Sequence, residues 1–238
     1  MVWDPFGTLR RVLWIGGGQW VGKSTVARLL AARYEVTAYH YDYHDARGHN
    51  DRRVAGRVRR GEPPEGPDPE AVWVDTTAQQ MAADTVAGFP ERFEWVLDDL
   101  RALVSGRPII AEGWGLRPDL VASIIDSPRR MIVMVPTAEF RNHQIRTLPR
   151  AAVLGHQVSD PDRAQRNRLA RDDLVAADAV RAARHHGVRV LTVDGSLTPP
   201  RSPTWWPTTS APTCRHQQQQ SHDLARNDHP AAITPPGH

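Results

Sequence analysis

Two residue types are almost missing from this chain of 238 residues. Cysteine occurs once, at Cys214, so no intramolecular disulfide can form, and a reducing, cytoplasmic setting is the default expectation. Lysine also occurs once: of the 30 Lys plus Arg residues, only Lys23 is a lysine. Long apolar runs are missing too. No segment approaches the ~20 residues a membrane helix needs, and no charged-then-apolar leader is visible, so no membrane partner is expected. Charge imbalance is small, +3 with a sequence pI near 9.5, and the basic residues are mixed with acids rather than gathered in a stripe. Nucleic acid is therefore not an expected partner. An apolar fraction of 40% over this length supports one sizeable α/β domain rather than two.

What is present is organised around Gly17 to Thr25, GGQWVGKST, set between the apolar run Arg11 to Ile15 and the amphipathic run Val26 to Arg33. Gly17, Gly22, Lys23 and Ser24 match the phosphate-binding pattern G-x-x-x-x-G-K-[ST] (Walker A) in the strand-before, helix-after context its mechanism requires. Glycines allow backbone angles closed to other residues, so successive N–H groups can turn inward around an anion. The following helix adds its unpaired N–H groups and the positive end of its dipole. Lys23 is expected on the β/γ-phosphates and the Ser24 hydroxyl on Mg²⁺. The lone lysine sharpens the reading. A GC-rich coding sequence favours arginine everywhere, yet this site needs a compact ammonium that arginine's planar fork does not replace.

Along the chain, Met1 to Arg10 reads as a short disordered lead, followed by strand Arg11 to Ile15, the loop, and a helix to about Tyr34. A second strand, Glu35 to His40, runs into Tyr41, Asp42, Tyr43, His44 and Asp45; ligands in open α/β sheets bind beyond strand carboxyl ends, so Asp42 and Asp45 are expected to face the loop. Arg47 to Pro69 carries Arg52, Arg53, Arg57, Arg59 and Arg60. It reads either as a solvated loop or frayed helix, or as a segment whose arginines hold an anionic substrate. Helices are expected at Thr76 to Val86 and Pro90 to Val104, the latter with Phe93, Val96, Leu97, Leu100 and Val104 on one core face.

A third strand, Pro108 to Ala111, leads to Glu112, placed where a carboxylate would stand beside Mg²⁺. Helix Leu116 to Ile125, strand Met131 to Val135 and helix Ala138 to Thr147 capped by Thr137 follow. A linker, Leu148 to Asp160, precedes a long arginine-studded helix, and strand Val188 to Val193 ends the pattern. His185 and His186, adjacent at a helix end, point different ways and are not expected to bind metal. This alternation implies a parallel sheet with right-handed crossovers.

Residues 197–238 lose all periodicity and are expected to be a disordered tail. Back-translating Ser202 to Cys214 and reading one base earlier permits an amphipathic string, so the tail is read as a candidate frameshift product.

The loop, the acid after strand two, Glu112-Gly113 after strand three, the arginine-rich segment before a long helix, and Val193-Asp194-Gly195 together resemble the nucleoside-monophosphate-kinase-like group of small ATP-dependent phosphotransferases, which includes adenylate, cytidylate and shikimate kinases and chloramphenicol phosphotransferase. The resemblance covers about Arg11 to Ser196. It implies a three-layer α/β P-loop NTPase fold with a central five-stranded parallel sheet. It also implies ATP phosphates held by Gly17, Gly18, Gln19, Trp20, Val21, Gly22, Lys23, Ser24 and Thr25, and Mg²⁺ at Ser24 with Glu112 in its outer shell. Asp42 would stand near acceptor or metal, and Arg163, Arg166 and Arg171 would be lid arginines closing on the transferring phosphoryl group. Lys23, Asp42, Arg166 and Arg171 are the expected catalytic set, Asp42 as the group that accepts the proton of an alcohol acceptor. Trp20 is bulkier than the family's loops usually carry, and 47–69 matches no acceptor-recognition motif.

The leading expectation is a kinase of a small molecule, a nucleotide or a hydroxyl-bearing metabolite, working as monomer or homodimer. An NTP-hydrolysing switch is disfavoured because no N-K-x-D string occurs. A nucleotide-binding regulator without turnover is favoured if Asp42 and Glu112 face away from the loop.

Overall fold

Short apolar segments separated by helices have one economical arrangement, a parallel sheet buried on both faces, and the computed structural model has it. The structure describes residues 3–148 and 158–196. The expected tail, 197–238, and most of the expected linker lie outside the described residues. Strands β1 (Val12–Gly17), β2 (Thr37–His40), β3 (Ile109–Glu112), β4 (Met131–Pro136) and β5 (Arg189–Val193) form one sheet in the order β2-β3-β1-β4-β5, and every pairing is parallel. Its helices are α1 (Lys23–Tyr34), α2 (Tyr41–Ala46), α3 (Gly48–Arg59), α4 (Ala78–Ala87), α5 (Phe89–Ala102), α6 (Pro118–Val121), α7 (Ala138–Thr147) and α8 (Pro161–His185). The chain is thus α/β with an all-parallel five-stranded sheet. Among the described residues, no helix is long and apolar enough to cross a membrane.

The side-chain period of two along each strand divides the core. Val12 and Trp14 of β1, Ile109 and Ala111 of β3, and Met131 and Val133 of β4 share one cluster with Phe93, Val96, Leu97 and Leu100 of α5 and Ala179 and Ala183 of α8. The α5 residues recur at the i, i+3, i+4, i+7 spacing of one helical face, and each such burial contributes about 1.5–3 kcal/mol. Helix α1 lies against β2 and β3. Start signals are visible where hydroxyl or carboxylate side chains accept from helical amides: Thr77 from Gln80, Thr137 from Phe140 (both 3.2 Å) and Asp160 from Arg163 (2.9 Å).

Several expectations are corrected. The end of the expected disordered lead and the expected first strand residue, Arg11, form a 3-10 turn, Leu9–Arg11, with Thr8 before it; Thr8 and Leu9 are buried. Strand β2 starts at Thr37, not Glu35, because Glu35 takes left-handed angles (φ 52°) to close α1. Val104, expected on the core face of α5, is exposed at φ 42° after the helix has ended at Ala102. The 41–45 cluster, with no element expected from the sequence, lies in helix α2, and much of 47–69 is the regular helix α3. The expected helix Leu116 to Ile125 is regular only over Pro118–Val121.

Candidate functional site

The loop after β1 is built on backbone. At Gly17 (φ 113°) an added methyl would overlap the Met134 main chain, and at Gly16 the Leu116 carbonyl. Gly18 donates its amide to the Met134 carbonyl at 2.8 Å. The chain is thereby pressed against the end of β4 before it turns into α1. Gly22, at φ 85°, begins α1 with no side chain capping it, so the first-turn N–H groups stay open to an incoming acceptor. Lys23 is buried and curls back to donate its Nζ to the Gly18 carbonyl at 2.7 Å. Ser24 and Thr25 are exposed at the same helix end, and Gln19 and Val21 complete the turn.

Two carboxylates meet this loop. Glu112 ends β3, in register with Ile15 of β1 and His40 of β2. It is 1% exposed; Oε1 pairs with His40 Nδ1 at 2.8 Å, while Oε2 has no hydrogen-bond partner among the described residues. Asp42, in the first turn of α2, also has a buried oxygen, Oδ1, without a partner. Burial pushes the Asp42 carboxyl up; Lys23 pulls it down and Glu112 pushes it up again, while the Trp114 amide donates to it and lowers it. Asp42 thus lies within electrostatic reach of both Lys23 and Glu112. Asp45, the other acid expected here, is held by Arg53 (2.7 Å) and Arg92 (3.5 Å). Tyr41 packs where Gly113 and Gly115 leave room, since a methyl on either would overlap its ring.

Magnesium keeps several waters and needs only one or two protein carboxylates. Ser24, exposed in the first turn of α1, and Glu112 and Asp42, each with an unpartnered buried oxygen, fit that demand. No group of three or more His, Cys, Asp or Glu residues able to hold a metal occurs among the described residues, and His185 and His186 stack edge-on with each other, ring centroids 4.9 Å apart.

The α8 arginines part company. Arg163 and Arg166 are exposed in its first turns. Arg171 is turned inward: its guanidinium lies 5.1 Å from the Trp73 ring and 5.2 Å from the Trp114 ring, and it donates to Asp172 through Nε at 2.9 Å. Asp172 also accepts from Trp20 Nε1 at 3.3 Å, and Arg168 covers the Trp20 ring at 5.4 Å. Burial raises the Asp172 carboxyl above its ordinary value, outweighing Arg171, Arg168 and Trp20, which lower it. Trp20, buried at φ 65°, thus fastens the loop to α8. Eight tryptophans in one chain were the sequence signal for this cluster, but their spacing gave no hint of which would meet.

The arginines of 47–69 mostly hold that segment together. Arg52 approaches Asp99 at 3.7 Å and lies over Trp95, Arg53 pairs with Asp45, and Arg57 donates to the Pro63 and Pro64 carbonyls. A missed cluster sits behind them: Asp99 accepts from Tyr39 and pairs with buried His49, both at 2.8 Å. A surface cavity of about 300 Å³, between Trp3, Phe93, Leu97 and Ile124, carries only Glu94 and Arg101 as charged groups and lacks any comparable convergence. No protein-family model matches the chain, and no curated protein matches it.

Proposed function

We propose that the chain is an ATP-dependent phosphotransferase acting on a small molecule, with the three-layer fold of the phosphate-loop NTPases. One observation carries the reading: a buried Lys23 curled over a glycine-built loop at an uncapped helix start, with Asp42 and Glu112 beside it. The loop amides and Lys23 would hold the β- and γ-phosphates of ATP, its second substrate. Ser24 and Glu112 would hold Mg²⁺, which supplies charge neutralisation on those phosphates.

In transfer, an acceptor oxygen forms a bond to the γ-phosphorus while the bond to the β,γ-bridging oxygen breaks. ADP leaves, and the acceptor's proton passes to Asp42 and then to solvent. Little covalent chemistry is asked of the protein, so positioning and electrostatics dominate. Lys23 would neutralise charge building on the leaving oxygen. Asp42 would stand at the reacting end; its unengaged oxygen and a carboxyl raised by burial support its role as general base. Arg166 and Arg163, exposed on the first turns of α8, are the side chains available to close on the γ-phosphoryl group and exclude water.

The closeness of Asp42 to both Lys23 and Glu112 favours turnover over a purely nucleotide-binding regulator. The test is phosphate transfer from ATP with Mg²⁺, measured beside ATP binding, for the full chain and for Lys23→Ala. Equal ATP binding and transfer by the two would sink the proposal.

A further inference from the structure

The reading above leaves the acceptor open, and the chemistry of the walls beyond Asp42 narrows it. Trp114 follows Glu112-Gly113 at the end of β3, gives its amide to Asp42, and is half-buried. Its ring meets Phe89 edge-on, centroids 5.3 Å apart, and stacks on the Arg171 guanidinium. The same guanidinium lies 5.1 Å from the ring of Trp73, also half-buried. Trp73 sits in a π-helical turn, Ala71–Asp75, an irregularity that often marks functional positions. Asn167 fixes the turn by donating to the Trp73 carbonyl at 3.0 Å. A ladder Trp73–Arg171–Trp114 therefore starts beside the candidate base.

Charge decides what such a wall can take. Arg171 is spoken for by Asp172 and by two aromatic faces. Arg53 and Arg92 are both committed to Asp45, Arg52 to Asp99 and Trp95, and Arg57 to main-chain carbonyls. Arg47 and Arg59 are exposed. Besides Lys23, which the kinase reading gives to the ATP phosphates, the groups nearest the reacting end are acids, Asp42 and Glu112, each with a buried oxygen lacking a hydrogen-bond partner among the described residues. Arg163 and Arg166 are assigned to the γ-phosphoryl group, so a second anion placed there meets like charge without a further guanidinium fork from the described walls.

Resting on the kinase reading, we infer that the acceptor is an uncharged, hydroxyl-bearing compound with a flat or apolar face, received on the Trp73–Arg171–Trp114 ladder, and not a nucleoside monophosphate. The hydroxyl would reach Asp42 while the flat face lies along the tryptophans and stacks there.

The test uses the full chain saturated with a non-hydrolysable ATP analogue and Mg²⁺. A panel of nucleosides and simple aromatic alcohols, each paired with its own phosphate monoester, is titrated while tryptophan fluorescence is followed. The expected result is saturable quenching by at least one uncharged compound, with its phosphate ester bound at least about tenfold more weakly. Trp73→Phe and Trp114→Phe should each weaken that compound several-fold and leave affinity for the ATP analogue unchanged, which also reports that the variants are folded. Tighter binding of the esters, or no saturable quenching by any uncharged compound, overturns the inference. Transfer from ATP to a nucleoside monophosphate would overturn it while sustaining the kinase reading; ATP binding that survives Lys23→Ala unchanged would instead remove the reading beneath it.

Discussion

The two sides of the candidate site are made of different material. The loop side is backbone: Gly16, Gly17 and Gly18 press against Leu116, Met134 and Pro136, and Gly22 starts α1 with open amides. The far side is side chains drawn from separate segments, with Trp73, Trp114 and Arg171 in one stack and Trp20 tied to Asp172. A backbone site depends on residue types that leave the chain free to turn, and these can be read locally. A side-chain site depends on which residues the fold brings together. The first therefore tolerates few substitutions and the second trades stability against specificity.

Removing the one charge that the loop side owns should have the largest effect. Lys23→Ala is expected to lower phosphate transfer by about 10³-fold or more with an unchanged circular dichroism spectrum; transfer within about tenfold of wild type would break the contrast.

The glycines test the same side through stability. Gly17→Ala drives a methyl into the Met134 main chain at a φ of 113° and should cost about 2–4 kcal/mol by urea unfolding. Gly22→Ala meets no atom within 4 Å, so only its φ of 85° opposes it, at about 1–2 kcal/mol. Equal losses would show that close approach does not distinguish the two.

On the far side, Arg171→Ala strips two aromatic contacts and leaves the buried Asp172 without its main partner, so a loss of about 2 kcal/mol is expected. Arg166→Ala, at an exposed position, should leave stability within about 0.5 kcal/mol and act on transfer alone, lowering turnover more than ATP affinity. A matched fall in stability for both variants would mean the two arginines do the same job.

The smallest effect is a slope. Burial holds the Asp172 carboxyl above its ordinary value of 3.8, so the folded chain binds that proton more tightly than the unfolded chain. The resulting stability is fully present below the unfolded value and is lost as pH rises through the raised folded value. As pH rises above the ordinary carboxyl value of 3.8 and through the raised folded value, wild type should lose stability more steeply than Asp172→Asn does. Parallel profiles would mean that its three partners cancel the effect of burial.

How much was legible divides along the same line. The order of strands and helices followed from periodicity, and Thr137 was readable as a cap because its hydroxyl serves the next turn. Strand edges were missed where one backbone angle decides, as at Glu35, and Val104 was placed on a face that its helix no longer has. The placement of Glu112 at the end of a strand was readable; its bond to His40 was not, because β2 and β3 are far apart in sequence and adjacent only in the sheet. Arg163, Arg166 and Arg171 looked alike on one helix, yet one of them faces inward onto tryptophans from two other segments.

The sequence by itself determined a parallel α/β chain and a loop able to present amides and one ammonium to an anion, since glycine freedom and helix ends act within a few residues. Tertiary structure decided which carboxylates stand beside that ammonium, which arginines are already paired, and that an aromatic stack walls the far side. Those are pairings across tens of residues, and no local propensity contains them.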